Sequence, residues 1–169
     1  MRNDCSKRSA LRGEVDKYTW TDAGSSYVMS DLLAAFLYGQ LEIWPQIQAK
    51  RQHLWSRYHA ELASWAKSLG ATRPIVPEHC NQAWHMYYLL LPDLATRSAL
   101  IAHLREQRIH TVFHYQPLHL SPYAQSWNGA PGDCPVTENT SDRLLRLPFF
   151  NAMTFDQQSR VSEAILAFR

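Results

Sequence analysis

The 169-residue chain is long enough for one domain with an appended helical arm, and its 46% hydrophobic and 19% charged residues are the proportions of a globular protein with material for a core. A net charge of +2, from 17 basic and 15 acidic residues with no basic block, leaves no electrostatic footprint for nucleic acid.

Residues 1–15 are polar and start no element. The aromatic pair Tyr18 and Trp20 leads into a tight Gly24-Ser25-Ser26-Tyr27 turn. Ser30 is then a good N-cap for a helix in which Leu32, Leu33, Ala35, Phe36, Leu37 and Leu41 cover most sides. A helix apolar nearly all round is buried, so this one is expected to be wedged inside a larger assembly. Pro45 suits the first turn of a second helix over 43–68. Its apolar stripe is Trp55, Tyr58, Leu62, Trp65 and Leu69, with Lys50, Arg51, Arg57, Glu61 and Lys67 mostly off it. Gly70 ends it in the position after the last turn that glycine favours.

Beyond Gly70 short strands and helices alternate. Residues 73–76 predict an edge strand bounded by Pro74 and Pro77, and 84–91 a central strand buried on both faces. Within that run His85 reads as a hydrogen-bonded core histidine. Thr96 predicts a helix cap with Leu100, Ile101 and Leu104 inward. A strand over 109–115 precedes a long Pro/Ser/Gly-rich excursion, 116–135. Thr137 with Glu138 predicts the start of a short helix to about Leu144, followed by an extended segment over 146–149. Thr154 caps a last helix with Val161, Ile165 and Phe168 on one side. The fold class is therefore α/β, a short sheet with packed helices, preceded by two long helices.

The apolar runs 32–38 and 87–91 are too short to span a bilayer, and the N-terminus lacks the apolar core of a signal peptide. Cys5, Cys80 and Cys134 are widely spaced, which suits reduced thiols and a cytoplasmic location. Six Trp, eight Tyr and six Phe favour an oligomer. His110, His114 and His119 with Cys134 invite a zinc reading, but no fixed ligand spacing recurs and no metal site is assigned.

Four features in order carry a resemblance: KYTW with GSSY at 17–27, Trp84-His85-Met86-Tyr87-Tyr88, His114-Tyr115-Gln116-Pro117-Leu118-His119, and Leu144-Leu145-Arg146-Leu147-Pro148. Together they resemble the DegT-type sugar-nucleotide aminotransferases, which use pyridoxal 5'-phosphate (PLP), from about Arg12 to the C-terminus. KYTW with GSSY is most similar to the dTDP-4-dehydro-6-deoxyglucose transaminases, which aminate a dTDP-keto sugar with glutamate for surface polysaccharide such as enterobacterial common antigen.

The resemblance implies the C-terminal small domain of a fold-type I PLP aminotransferase. Residues 1–42 would be a remnant of the large PLP-binding domain, 43–70 a connecting helix, and 71–169 the small α/β domain. It implies a dimer in which Ser26 approaches the PLP phosphate across the interface. Tyr18, Trp20 and Tyr27 would flank that mouth, and His114, Tyr115 and His119 would lie near the nucleotide sugar. On residues alone Ser25 and Ser26 are turn and cap residues, and Tyr18 and Trp20 are equally core or interface anchors. Val28 replaces an arginine common in the family.

The family's imine-forming lysine, its pyridine-holding aspartate and its stacking aromatic all lie N-terminal to the region resembled. None of Lys7, Lys17, Lys50 and Lys67 is nominated as catalytic. The expectation is a C-terminal piece of an enzyme, inactive alone and binding little PLP, whose partner is a second copy or an N-terminal half. The alternative is a non-catalytic nucleotide-sugar-binding or assembly module.

Overall fold

The computed structural model describes residues 29–169, which fall into two units, one ending at Ile43 and one spanning Trp44–Arg169, each taken here by itself. The described part of the first unit is helix α1, Asp31–Glu42. Ser30 caps it from an extended conformation, its hydroxyl accepting from the Leu33 N–H at 3.4 Å. None of its residues is buried, so the described chain does not supply the packing its apolar surface calls for.

The second unit begins with α2 (Trp44–Glu61) and α3 (Ala63–Leu69). The single helix predicted over 43–68 is thus two, because the backbone opens to ψ 5° at Leu62. Hydrogen bonds from Leu62 to Tyr58 and from Ala66 to Leu62 persist across the break, so the apolar stripe continues through it. Gly70 adopts φ 75° and lets the Ala71 N–H reach the Ala66 carbonyl at 2.8 Å, a left-handed closure that a Cβ disfavours.

Three short antiparallel strands, β1 (Tyr88–Leu90), β2 (Val112–Phe113) and β3 (Leu144–Arg146), form a sheet of order β1-β3-β2. The run over 84–91 is therefore neither fully a strand nor central. Trp84 sits at φ 48°, outside extended geometry, and only three residues pair. His85, ahead of the strand, is exposed rather than core. The edge strand predicted over 73–76 is replaced by a single bridge, Thr72 to Leu90, since Pro74 and Pro77 have no N–H to extend it.

Helix α4 (Leu94–Glu106) is capped by Asp93, not Thr96. The Asp93 Oδ1 accepts from the Thr96 N–H at 2.7 Å, and that bond holds the carboxyl below its usual range. The strand predicted over 109–115 shortens to two residues between Arg108 at φ 58° and Tyr115 at φ 23°. After the short helix α5 (Pro122–Gln125), α6 runs over Pro135–Arg143, two residues ahead of its predicted start at Thr137, with proline in the first turn where no N–H is needed. It passes directly into β3, so the extended segment begins at Leu144 rather than at 146. The last helix, α7 (Phe155–Leu166), starts at the predicted Thr154. Its hydroxyl accepts from the Gln157 N–H at 3.2 Å while the Gln157 side chain accepts from the Thr154 N–H at 3.0 Å.

Leu54 and Tyr58 of α2, with Leu62 at its junction with α3, meet Tyr87, Leu89, Leu100, Leu104, Leu145 and Ile165 in one core. Each buried leucine contributes roughly 1.5–3 kcal/mol relative to exposure. Three polar groups at this core are matched: the Tyr58 hydroxyl donates to the Pro148 carbonyl at 3.1 Å, Trp65 Nε1 to the Phe168 carbonyl at 3.0 Å, and Gln158 Nε2 to the Leu54 carbonyl at 2.6 Å. Among the described residues no helix is long and apolar enough to cross a membrane.

Candidate functional site

The segment leaving β2 turns sharply at Tyr115, whose φ of 23° is unusual for a side chain of its size. Its carbonyl accepts from Ser141 Oγ of α6 at 2.7 Å, which fixes the turn from outside. The phenol ring is left 72% exposed, with the Arg146 guanidinium 5.6 Å from its centroid and the His114 ring edge-on at 5.3 Å. His114 Nδ1 is buried and has no hydrogen-bond partner among the described residues. A polar atom in that state marks a place where a ligand or water completes the set.

Two clefts, of about 720 and 370 Å³, share Tyr115, Gln116, Pro117 and Ser141 as a common wall. The larger is closed by Arg97, Phe113, Leu120, Glu138 and Asp142, and the smaller by His114, Leu118, Val136 and Thr140. Arg97 donates to the Ser141 carbonyl at 2.7 Å and lies 5.5 Å from the centroid of the Phe113 ring. Its Nε is buried and has no hydrogen-bond partner among the described residues. An exposed phenol beside guanidinium donors suits a ligand that offers a planar ring and hydrogen-bond acceptors.

The rest of the excursion is tied by one carboxylate. Glu138 Oε1 takes His119 Nε2 at 2.8 Å and the N–H groups of Gly132 and Cys134 at 2.9 and 3.4 Å. The His119 bond, then the Gly132 bond, hold the Glu138 carboxyl below its usual range. Gly129 permits a close approach here: a Cβ would lie 2.4 Å from the His119 carbonyl oxygen.

Of the residues nominated from sequence, His114 and Tyr115 come together at the clefts. His119 lines neither and is bound to Glu138 instead. Tyr18, Trp20, Ser26 and Tyr27 lie outside the described residues, as do Lys7 and Lys17. His110 and Cys134 are exposed, and no group of three His, Cys, Asp or Glu among the described residues is placed to hold a metal ion. Sequence reasoning missed Arg97, Ser141 and Arg146 as site residues, and took Glu138 only as the start of a helix. A capping role for Glu138 four residues after Cys134 was the one local signal available.

PLP needs an amine to hold it as an imine and a carboxylate for its ring nitrogen. The clefts separate these groups. The one lined by Glu138 and Asp142 has no lysine, and a third, of about 920 Å³, has Lys67 but no carboxylate. Lys50 is exposed on α2. Among the described residues, none of the three clefts is lined by a lysine together with a carboxylate.

The model of the DegT/DnrJ/EryC1/StrS aminotransferase family matches residues 2–166. The protein MJ1066 of Methanocaldococcus jannaschii is 30% identical over 169 residues, covering 98% of this chain and 43% of that protein. The spore coat polysaccharide biosynthesis protein SpsC of Bacillus subtilis is 31% identical over 153 residues, covering 88% of this chain and 39% of that protein. The chain thus spans about two fifths of the length of these relatives. Among solved structures, DesV of S. venezuelae superposes with a TM-score of 0.79 at 25% identity, over 98% of this chain and 44% of that one. A DegT DnrJ EryC1 StrS aminotransferase from Brucella abortus gives 0.75 at 27% identity, over 95% and 42%.

Proposed function

We propose that this chain, which belongs to the DegT/DnrJ/EryC1/StrS aminotransferase family, provides the C-terminal part of a PLP-dependent transaminase that aminates a dTDP-4-keto-6-deoxy sugar, with glutamate as donor. The product class is a dTDP-4-amino-4,6-dideoxygalactose for surface polysaccharide. KYTW with GSSY supports the sugar assignment, and a relative named for spore coat polysaccharide biosynthesis supports the biosynthetic setting.

The observation that carries the reading is the exposed Tyr115 ring on a segment pinned by Ser141. That ring takes the planar base, while Arg97 and His114 meet polar groups of the nucleotide sugar. PLP, when bound, supplies the electron sink for moving an amino group. Its imine-forming lysine is none of this chain's four, and Ser26 reaches its phosphate from the neighbouring subunit.

Titration with dTDP, followed by the NMR signals of Tyr115 and His114, tests the groove. Saturable binding that weakens about tenfold in Tyr115→Ala is expected, a change matching one stacked base. Unchanged affinity in that variant removes the groove. Adding PLP and then borohydride tests the division of labour. No stoichiometric lysine adduct is expected, and one on Lys7, Lys17, Lys50 or Lys67 overturns it.

A second reading, an assembly module, is favoured by one observation: α1 exposes Leu32, Leu33, Phe36 and Leu41. Sedimentation of the purified chain as a discrete dimer supports pairing through such a surface, and a monomer refutes it.

A further inference from the structure

Away from the Tyr115 clefts and larger than either of them, a third cleft of about 920 Å³ opens between α2, α3 and the segment that follows Gly70. Its volume is in the range of small-molecule sites. One wall is aromatic. Trp55 stacks on His59 with centroids 4.6 Å apart and planes at 12°, and Trp84 meets Trp55 edge-on at 5.0 Å. The lining also includes Lys67 and Arg73. Among the described residues the lining contains no aspartate or glutamate to neutralise the two cations.

Two further details fit a built site. Arg73 is anchored by donating through one terminal nitrogen to the His59 carbonyl, and among the described residues its remaining N–H groups have no protein acceptor. A guanidinium fixed at one corner keeps donors pre-oriented for an anion. Trp84 is held at φ 48°, a strained conformation for a bulky residue, and it lines the cleft.

We propose that this cleft binds a small molecule that joins a planar ring to a phosphate or carboxylate, the ring against Trp84 and the anion at Lys67 and Arg73. It is separate in composition from the Tyr115 clefts, sharing no lining residue with them. The proposal does not depend on the aminotransferase reading.

The test titrates the full chain with adenosine 5'-monophosphate and, in a second arm, with indole-3-acetate, following indole N–H resonances. Adenosine and inorganic phosphate serve as half-ligand controls. Saturable binding of at least one whole probe is expected, with either half weaker by about tenfold or more. Lys67→Glu, an exposed position where folding is not at stake, is expected to weaken it about tenfold, and Arg73→Gln by as much. Tyr115→Ala leaves it unchanged. The arm that binds identifies the anion as phosphate or carboxylate. Absence of saturable binding in both arms overturns the proposal. So does binding that survives Lys67→Glu but is lost in Tyr115→Ala.

Discussion

Two regions of the second unit are held together in opposite ways. Where α2 meets α7, the fold is fixed by fully buried side chains, and polar groups are enclosed within it. Arg57 bonds Glu61 at 2.6 Å, the Phe155 carbonyl at 2.9 Å and Ser159 at 2.7 Å, and lies 3.6 Å from the Phe155 ring centroid. Across 116–135 there is little to bury. Glu138 and short local bonds, such as those that Ser121 and Asp133 accept from the Ala124 and Ala130 N–H groups, hold the chain, and large side chains such as Leu118, Tyr123 and Trp127 are exposed. The contrast teaches where function can be carried: a segment shaped by its backbone and a few polar ties leaves its aromatic faces available, whereas the core uses every face it has.

The largest test of that contrast is Leu145→Ala, at a fully buried site on the central strand β3. It is expected to cost about 3 kcal/mol in denaturant unfolding, within the range for leucine truncation in packed cores. A loss below about 1 kcal/mol would mean that the core is not packed as described.

Arg57→Met comes next. The arginine ties elements about a hundred residues apart, and its side chain is 13% exposed. Removing it leaves Glu61 with its Ser162 bond at 2.5 Å and takes the guanidinium donor from the Ser159 hydroxyl. About 2 kcal/mol is expected in the same unfolding assay, the scale of a partly buried charged network.

Gly129→Ala moves to the other region. Its new methyl meets the His119 carbonyl and also lies 3.1 Å from the Ala124 carbonyl, both backbone atoms that cannot swing aside. The strain is of order 1–3 kcal/mol, and because the loop is tied at so few points it should appear as local opening. Faster amide exchange over 116–134 with a nearly unchanged global midpoint is the expected result. A full shift of the global midpoint would show that the loop and the core unfold together, against the contrast drawn above.

The two regions also differ in how far sequence discloses them. The α2 stripe and the Thr154 cap of α7 were legible because each is set by residues three or four apart. Asp93 and Thr96 show the limit of that rule: they are themselves three apart, both are capping residue types, and only the extended backbone at Asp93 decides between them. The sheet order was not legible, since β1 and β3 pair across the whole intervening chain and each is three residues long. Continuous apolarity over 84–91 gave no hint of the turn at Trp84. At the candidate site His114 and Tyr115 were visible as a motif. Their supports were not, because Ser141 acts from 26 positions away and Glu138 reaches His119 from 19.

The smallest expected effect isolates that Glu138 tie through pH. Its carboxyl titrates below the ordinary 4.5 in the folded chain, chiefly through His119. Below that ordinary value the unfolded chain binds the proton first. The stability the tie adds is therefore complete above about pH 4.5 and is lost as pH falls through the lower folded value. Burial and the Arg73 charge likewise hold His59 below its ordinary 6.5, so its own acid cost begins in a higher window, as pH drops through 6.5. Glu138→Gln keeps the shape and leaves the His59 window untouched. The variant is expected to lose the parent's extra fall below pH 4.5, read as amide exchange across 116–134. Identical exchange profiles for the two proteins below pH 4.5 would show that the carboxylate is not what holds the excursion closed.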